Sequence, residues 1–322
     1  MAAECGNGKG PSPLVIHAVR RGIDPPHRPF LAMRLEILLQ ALVNGVLMGG
    51  VYSLVSIGLT LIFGVVRIVN FAHGEFLMVG MYVTYWLWAL THMDPVVTAI
   101  VSMPALAILG YFLYRALVRR VLGAPDLSQI FLTVGISLVL QNLALLLFTA
   151  NYRSVTVAYA TSAFRLGAVS FSLARLIAFA VAVVLSLLVG LFLSRTDVGR
   201  AMRAVAQDRD AAMLLGIDPD RIYALAVALG AALAGAGGSV IMPYFYVFPT
   251  VGASFVLIAF VVVIMGGLGN VTGAFLGGII MGIAESLGVL YVGADAGVIV
   301  AFIILLLVLI LRPQGLLAVG RG

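Results

Sequence analysis

The 322-residue sequence is poor in charge, in cysteine and in lysine. Only 10% of its residues are charged and 62% are hydrophobic, whereas soluble domains run near about 25% charged. With a mean hydropathy of +1.15, the chain carries more apolar surface than a soluble domain of this size can bury. A bilayer must take the remainder. The single cysteine, Cys5, lies in a polar N-terminal stretch, which rules out an intrachain disulfide and any cysteine-rich metal site. The single lysine, Lys9, lies in the same stretch, so no Gly-x-x-x-x-Gly-Lys-Ser/Thr phosphate loop exists. His-Glu-x-x-His spacing and a Gly-x-Ser-x-Gly elbow are also missing. No catalytic residue, metal site or cofactor is expected, and any ATP-driven step would need another chain. Period-2 alternation is lacking too, which removes a transmembrane barrel and leaves an all-α, polytopic transmembrane helical bundle.

What is present is a series of long apolar runs. A span needs about 20 such residues, and candidates fall at roughly 37–66, 76–92, 95–114, 130–149, 172–194, 222–242, 254–270, 272–291 and 297–311, about 8–10 membrane segments in all. The first run is too long for one upright helix and must tilt, break or protrude. Ahead of it, residues 1–34 are rich in Gly, Pro and Arg and read as a disordered tail. Met33 directly precedes the first run and is an alternative start. Residues 35–318 then form the transmembrane domain.

The net charge of +6 would hint at nucleic acid in a soluble chain. In a membrane chain it reads as positive-inside loops, and no nucleic acid is expected. Arg115, Arg119 and Arg120 are separated by two predicted spans from the group formed by Arg195, Arg200, Arg203, Arg209 and Arg221, so both groups face one side, the cytoplasm. Four more spans bring Arg312 and Arg321 to that side. Small residues recur four apart at Ala231 and Gly235, Ala234 and Gly238, Gly273 and Gly277, and Gly278 and Gly282, a spacing that serves ordinary bundle packing.

Residues 195–221 are the longest polar stretch after the tail, with five Arg against five Asp. Helical spacing sets Met202, Val205, Ala206 and Met213 on one apolar side. Gly216 can stop the helix and Asp218-Pro219 can begin the next. Such an amphipathic helix suits docking into a partner's groove, or is a solvated connection. Asp210-Ala211-Ala212-x-x-x-Gly216-Ile217 resembles the Glu-Ala-Ala-x-x-x-Gly loop of ABC importer permeases, which contacts the ATPase subunit. The downstream Ile-x-Leu-Pro of that loop is missing, which fits the divergent class of branched-chain amino-acid and sugar permeases. Gly199-Arg-Ala-Met-Arg-Ala-Val-Ala-Gln-Asp208 and Ala212-Met-Leu-Leu-Gly-Ile217 look like the branched-chain amino-acid permease family.

A second motif, Gly64-Val-Val-Arg-Ile-Val-Asn-Phe-Ala-His-Gly-Glu75, with Leu42-Val-Asn-Gly45 and Tyr52-Ser-Leu upstream, resembles the H-type subunit of that family. A urea or short-amide permease subfamily has a very similar pattern. The resemblance, over about residues 37–316, implies a multi-pass inner-membrane subunit of an importer with a second permease subunit, forming a heterodimer. It further implies cytoplasmic ATP-binding subunits and an extracytoplasmic binding protein. The ATPase-coupling contact then falls on Arg203, Ala206, Asp210, Ala211, Ala212 and Gly216. Asn70, His73 and Glu75 either occupy a cytoplasmic turn or line the translocation path, with Gly74 breaking a helix at membrane depth. Glu285, in an otherwise apolar span, is a further path candidate, with Gln141 and Asn142 behind it as interhelical hydrogen-bonding groups. A stand-alone secondary transporter remains the other reading.

Overall fold

The computed structural model of the chain describes residues 30–167, 169–293, 296–312 and 315. Cys5 and Lys9, and with them most of the expected tail, lie outside the described residues, as does Arg321. Helix α1 runs unbroken from Phe30 to Val66, so residues 30–34, expected in the tail, are helical. The run from Phe30 carries no Pro, and its Gly positions are spent on packing. The chain divides into two units after Leu38, and everything below concerns the unit of residues 39–322.

α1 is followed by α2 (His73–Thr91), α3 (Pro95–Ala116), a short 3₁₀ turn at Val118–Val121 and α4 (Asp126–Phe148). A two-stranded antiparallel hairpin, β1 (Ala163–Leu166) and β2 (Val169–Ser172), precedes α5 (Leu173–Arg195). Then come α6 (Asp197–Gln207), α7 (Arg209–Leu214), α8 (Pro219–Ile241), α9 (Val251–Gly266), α10 (Val271–Tyr291) and α11 (Ala296–Leu311). Each of the nine apolar runs read from the sequence is helical over most of its length, with the run 254–270 ending four residues early, at Gly266. Among the described residues six helices are long and apolar enough to cross a membrane, and Val251–Gly266 and Ile299–Leu311 are shorter apolar helices. The hairpin was not foreseen, because its four-residue strands carry no length of alternation to recognise; Gly167, at φ 63°, supplies the turn.

α1 and α8 form the centre of the bundle, whereas α4 and α5 turn Leu and Val outward, including Leu138, Val139, Leu187 and Leu188. In lipid such surfaces gain nothing by packing together, so close backbone approach and polar contacts decide which helices touch. The four-residue spacings do this work within the chain. Gly278 packs on Ser53 and Gly282 on Gly45 and Gly49, seating α10 against α1, while Gly235 packs on Ser102 and Leu106 and on Gly80. A buried hydroxyl chain reinforces the α2, α3 and α8 contact: Thr84 donates to Ser239 at 2.7 Å, Thr98 to Thr84 at 3.2 Å, and Ser102 lies 2.6 Å from Ser239.

The two basic loops meet. Arg115 and Arg119 pair with Asp220 at 2.6 and 3.0 Å, and the Tyr114 hydroxyl donates to the same carboxylate at 2.9 Å. That fixes the Arg115 and Arg195 groups at one end of the bundle, the cytoplasmic end by the positive-inside rule. Gly315, which accompanies Arg312, packs on Gly267 between α9 and α10 at that end as well.

Candidate functional site

At the basic end, α6 to α8 are defined by local capping. The Thr196 hydroxyl accepts from Gly199 N at 3.0 Å, Asp208 accepts from Asp210 N and Ala211 N at 2.9 and 3.0 Å, and Asp218 accepts from Asp220 N at 3.0 Å. Each satisfies amides that a helix start leaves without partners. Gly216 closes α7 at φ 82°. Gly216 N donates to Met213 O at 3.0 Å and Ile217 N to Ala212 O at 3.1 Å, the bond pair of a Schellman stop.

Met202 and Val205 are buried against the bundle, as the helical spacing predicts, with Ala206 half-buried. Met213 is a correction. It is 44% exposed, with Leu214 at 90% and Leu215 at 80%. The break at Asp208 re-aims α7, so helical phase does not carry over from α6. Arg203, Asp210, Ala211 and Gly216 are exposed, whereas Ala212 faces inward and anchors the loop. Arg203 donates to the Leu193 carbonyl at the end of α5.

The α1–α2 connection starts at this end and ends deep in the bundle. Arg67, exposed and at φ 61°, donates through Nη2 to the Ala206 carbonyl of α6 at 2.8 Å. Residues 67–72 are not helical, yet Ile68, Asn70 and Ala72 are buried. Asn70 Oδ1 accepts from Ala72 N at 3.1 Å, and the Val69 carbonyl accepts from Thr133 at 3.1 Å. His73, fully buried, opens α2, and its Nε2–H donates to the Val55 carbonyl at 2.9 Å, while Nδ1 has no partner among the described residues. Val55 lies 11 residues before the end of α1, which at 1.5 Å per residue is roughly 16 Å along the helix from the basic end, a length comparable to half of a hydrocarbon core about 30 Å thick.

The break therefore spans residues 67–72, and Gly74 belongs to the first turn of α2 rather than forming it. A Cβ on Gly74 would collide with the carbonyl of Gly252 and sit 2.9 Å from Val256. Two helix beginnings, those of α2 and α9, thus abut at the depth of Val55. Non-helical backbone survives at such depth only where it is enclosed by protein or lines a cavity. Beside this junction, the fully buried Glu75 accepts through Oε1 from Gln141 at 2.7 Å and Ser137 at 3.1 Å. Its Oε2 has no partner among the described residues and faces Gly252, where a Cβ would come within 2.7 Å of it.

Glu285 is half-buried on α10, and its Oε2 is buried with no partner among the described residues. Tyr52 is three residues, about 4.5 Å of rise, from Val55, and its ring lies 6.2 Å from Phe255 of α9. Among the described residues no hydrogen bond joins Glu285 to the His73–Glu75 group. The sequence pointed to Asn70, His73, Glu75 and Glu285. It did not pair Gln141 with Glu75, nor Arg67 with Ala206, because both links connect residues far apart in the chain.

A non-helical entry deep in the bundle, a fully buried carboxylate and a capped polar loop at the basic end are thus the polar features of an otherwise apolar helical bundle. A model for the family described as branched-chain amino acid transport system / permease component matches residues 41–309. The chain belongs to that family. The high-affinity branched-chain amino acid transport system permease protein BraD of Pseudomonas aeruginosa is 33% identical over 292 residues, spanning 87% of this chain and 95% of the relative. The corresponding permease LivH of Escherichia coli is 32% identical over 295 residues, with the same two shares of 87% and 95%. A probable LivH of Methanocaldococcus jannaschii is 29% identical over 279 residues, 83% of this chain and 88% of the relative. No solved structure matches the chain. As a member of this permease family, the protein is a multi-pass component of the cell inner membrane.

Proposed function

We propose that the protein is the membrane-spanning permease subunit of an ABC importer that translocates branched-chain amino acids. An extracytoplasmic binding protein delivers the solute, separate cytoplasmic ATPase subunits supply the energy, and a second, similar permease completes a heterodimer. The likeness to BraD and LivH supports this solute class over urea or short amides and supports a multi-subunit importer over a stand-alone transporter.

The observation that carries the reading is the exposed apolar tip Met213-Leu214-Leu215, held on a capped helix among charged residues at the basic end. Exposed leucines there suit insertion into a groove on a cytoplasmic partner. Residues 195–221 act as the coupling loop, with Arg203, Ala206, Asp210, Ala211 and Gly216 at or near the contact and Ala212 beneath it. Movement of α6 would reach the α1–α2 connection through Met202, Val205 and the Arg67 bond to Ala206. That connection leads to Asn70, His73 and Glu75, and a shift there would open or close the path between α1, α9 and α10.

The test is co-purification of the tagged protein from its native membrane, wild type against a Leu214→Asp, Leu215→Asp variant. ATPase subunits retained by wild type and lost by the correctly inserted variant are expected. Wild type that purifies without any ATPase, under conditions that keep other importers intact, overturns the importer reading.

A further inference from the structure

Helix α4 turns Leu and Val outward along much of its length, so two adjacent amide side chains in it, Gln141 and the exposed Asn142, are out of place against lipid. Both line a cavity of about 230 Å³, whose walls also include Leu145, Tyr152, Phe248 and Thr250. The rings of Tyr152 and Phe248 lie 4.8 Å apart, centre to centre. Their chain neighbours Arg153 and Val247 exchange backbone hydrogen bonds at 3.0 and 2.9 Å, which ties the α4–β1 connection to the α8–α9 connection. Because α4 starts near the arginines of the basic end and ends at Phe148, Gln141 and Asn142 lie about 10 Å from its outer end.

Hydrogen bonds fix which way each amide points. Gln141 Nε2 donates to Glu75 Oε1 at 2.7 Å and to Ser137 Oγ at 3.3 Å, and Asn142 Nδ2 donates to the Leu138 carbonyl at 2.7 Å. An amide oxygen turned toward a carboxylate or a carbonyl would find no proton there, so neither amide can be flipped without losing its bond. Gln141 Oε1 and Asn142 Oδ1 are thereby left as acceptors with no partner among the described residues. Donation to a carboxylate also polarises the Gln141 amide and strengthens its oxygen as an acceptor. Behind that amide, Glu75 is fully buried and its Oε2 has no partner among the described residues. The Thr250 hydroxyl, at the start of α9, caps no amide of that helix. No basic side chain stands among the lining residues. A wall that offers acceptors with a carboxylate behind them calls for a ligand that donates hydrogen bonds and carries positive charge.

We infer that this cavity is a subsite for the α-ammonium group of an amino acid with an apolar side chain. The ammonium donates to Gln141 Oε1 and Asn142 Oδ1, with the Glu75 carboxylate one side chain behind. The solute carboxylate accepts from the Thr250 hydroxyl, where the positive end of the α9 dipole favours it. The apolar side chain packs on Leu145 and against the rings of Tyr152 and Phe248. The volume suits such a solute, being below that of cavities that take drug-sized ligands. The inference rests on the importer reading above and deepens it by naming the groups that receive the solute beside the α2–α9 junction.

The complete transporter, with its binding protein and ATPases in proteoliposomes, decides the matter through uptake of L-leucine and ATP hydrolysis stimulated by the binding protein. Asn142→Leu removes an exposed amide bonded only within its own helix. It is expected to lower leucine uptake about 10-fold while stimulated hydrolysis persists. Asn142→Gln, which keeps an amide oxygen, should retain more uptake than Asn142→Leu. Uptake by Asn142→Leu within about twofold of wild type overturns the subsite and leaves the importer reading standing. A wild-type complex that hydrolyses ATP but moves no leucine overturns the proposed solute and the subsite together. Should Asn142→Leu fail to assemble, Thr250→Val decides, since it deletes a hydroxyl that caps nothing. A loss of about 3- to 10-fold supports the subsite, and unchanged uptake overturns it.

Discussion

The capped loop at the basic end and the buried junction of α2 with α9 both interrupt long helices, yet they are stabilised in opposite ways. In the loop, local side chains satisfy the backbone: Thr196, Asp208 and Asp218 cap three successive helices, each bonding within three residues of itself. At the junction, partners come from other helices. His73 bonds to Val55, Glu75 to Gln141, and Gly74 makes room for Gly252. Local satisfaction leaves a segment free to move as a unit, whereas long-range satisfaction ties several helices to one arrangement. Substitutions at the junction should therefore damage stability, and substitutions in the loop should damage coupling.

The largest effect is expected at the backbone contact. Gly74→Val forces a Cβ onto the Gly252 carbonyl and Val256, where neither neighbour is the far end of a flexible side chain. Overpacking of this kind costs about 3 kcal/mol, enough to lower the thermal midpoint of the detergent-purified complex by several degrees. A midpoint equal to wild type would show that α2 and α9 can separate freely. Gln141→Leu comes next. It removes the 2.7 Å donor to a fully buried carboxylate and leaves Ser137 alone at Oε1. A loss of about 1–3 kcal/mol is expected, with uptake falling alongside. Gln141→Leu, Glu75→Leu together should regain much of that stability, because removing both partners is milder than stranding one.

In the loop, Gly216→Ala should cost roughly 1 kcal/mol, the strain of φ 82° on an L-residue. The position has open space around it, so sterics add nothing, and a thermal melt of the purified complex reads the difference. The Asp220 cluster should matter less. Its arginines are substantially exposed, so the stabilisation lost in Asp220→Asn is small and shrinks with salt. Melts at low and high ionic strength check that.

The same contrast explains what could be read from the sequence. The nine helical runs are legible because lipid demands long apolar segments, and the loop because capping residues sit beside the helices they cap. The amphipathic phase was followed through to Met213 only because the kink at Asp208 leaves no mark beyond a capping-type residue. His73, Glu75 and Glu285 stand out as ionisable groups in apolar surroundings. Their partners do not, since Gln141 is one amide among many and nothing local says that it meets Glu75. The start of α2 at His73 rather than at Gly74 was hidden for a related reason: glycine serves both as a helix breaker and as a site of close packing, and only the neighbour, Gly252, decides which.

The smallest effect on stability is expected where the effect on coupling is greatest. Leu214 and Leu215 are 90% and 80% exposed, so Leu214→Asp, Leu215→Asp removes almost no internal packing, and the melting midpoint of the permease should stay within the range of about 0.5 kcal/mol typical of surface changes. Placed in a partner's groove, the same two carboxylates would be desolvated without counter-ions, which is strongly unfavourable. ATPase association should be lost while the permease stays folded. Arg67→Ala is the complementary lesion. It cuts the bond from the α1–α2 connection to Ala206 and leaves the apolar tip intact, so ATPase should still co-purify and hydrolysis continue while leucine uptake drops. If Arg67→Ala instead sheds the ATPase as the tip variant does, residue 67 supports the docking surface, and the link from loop to junction must run through the buried contacts of Met202 and Val205.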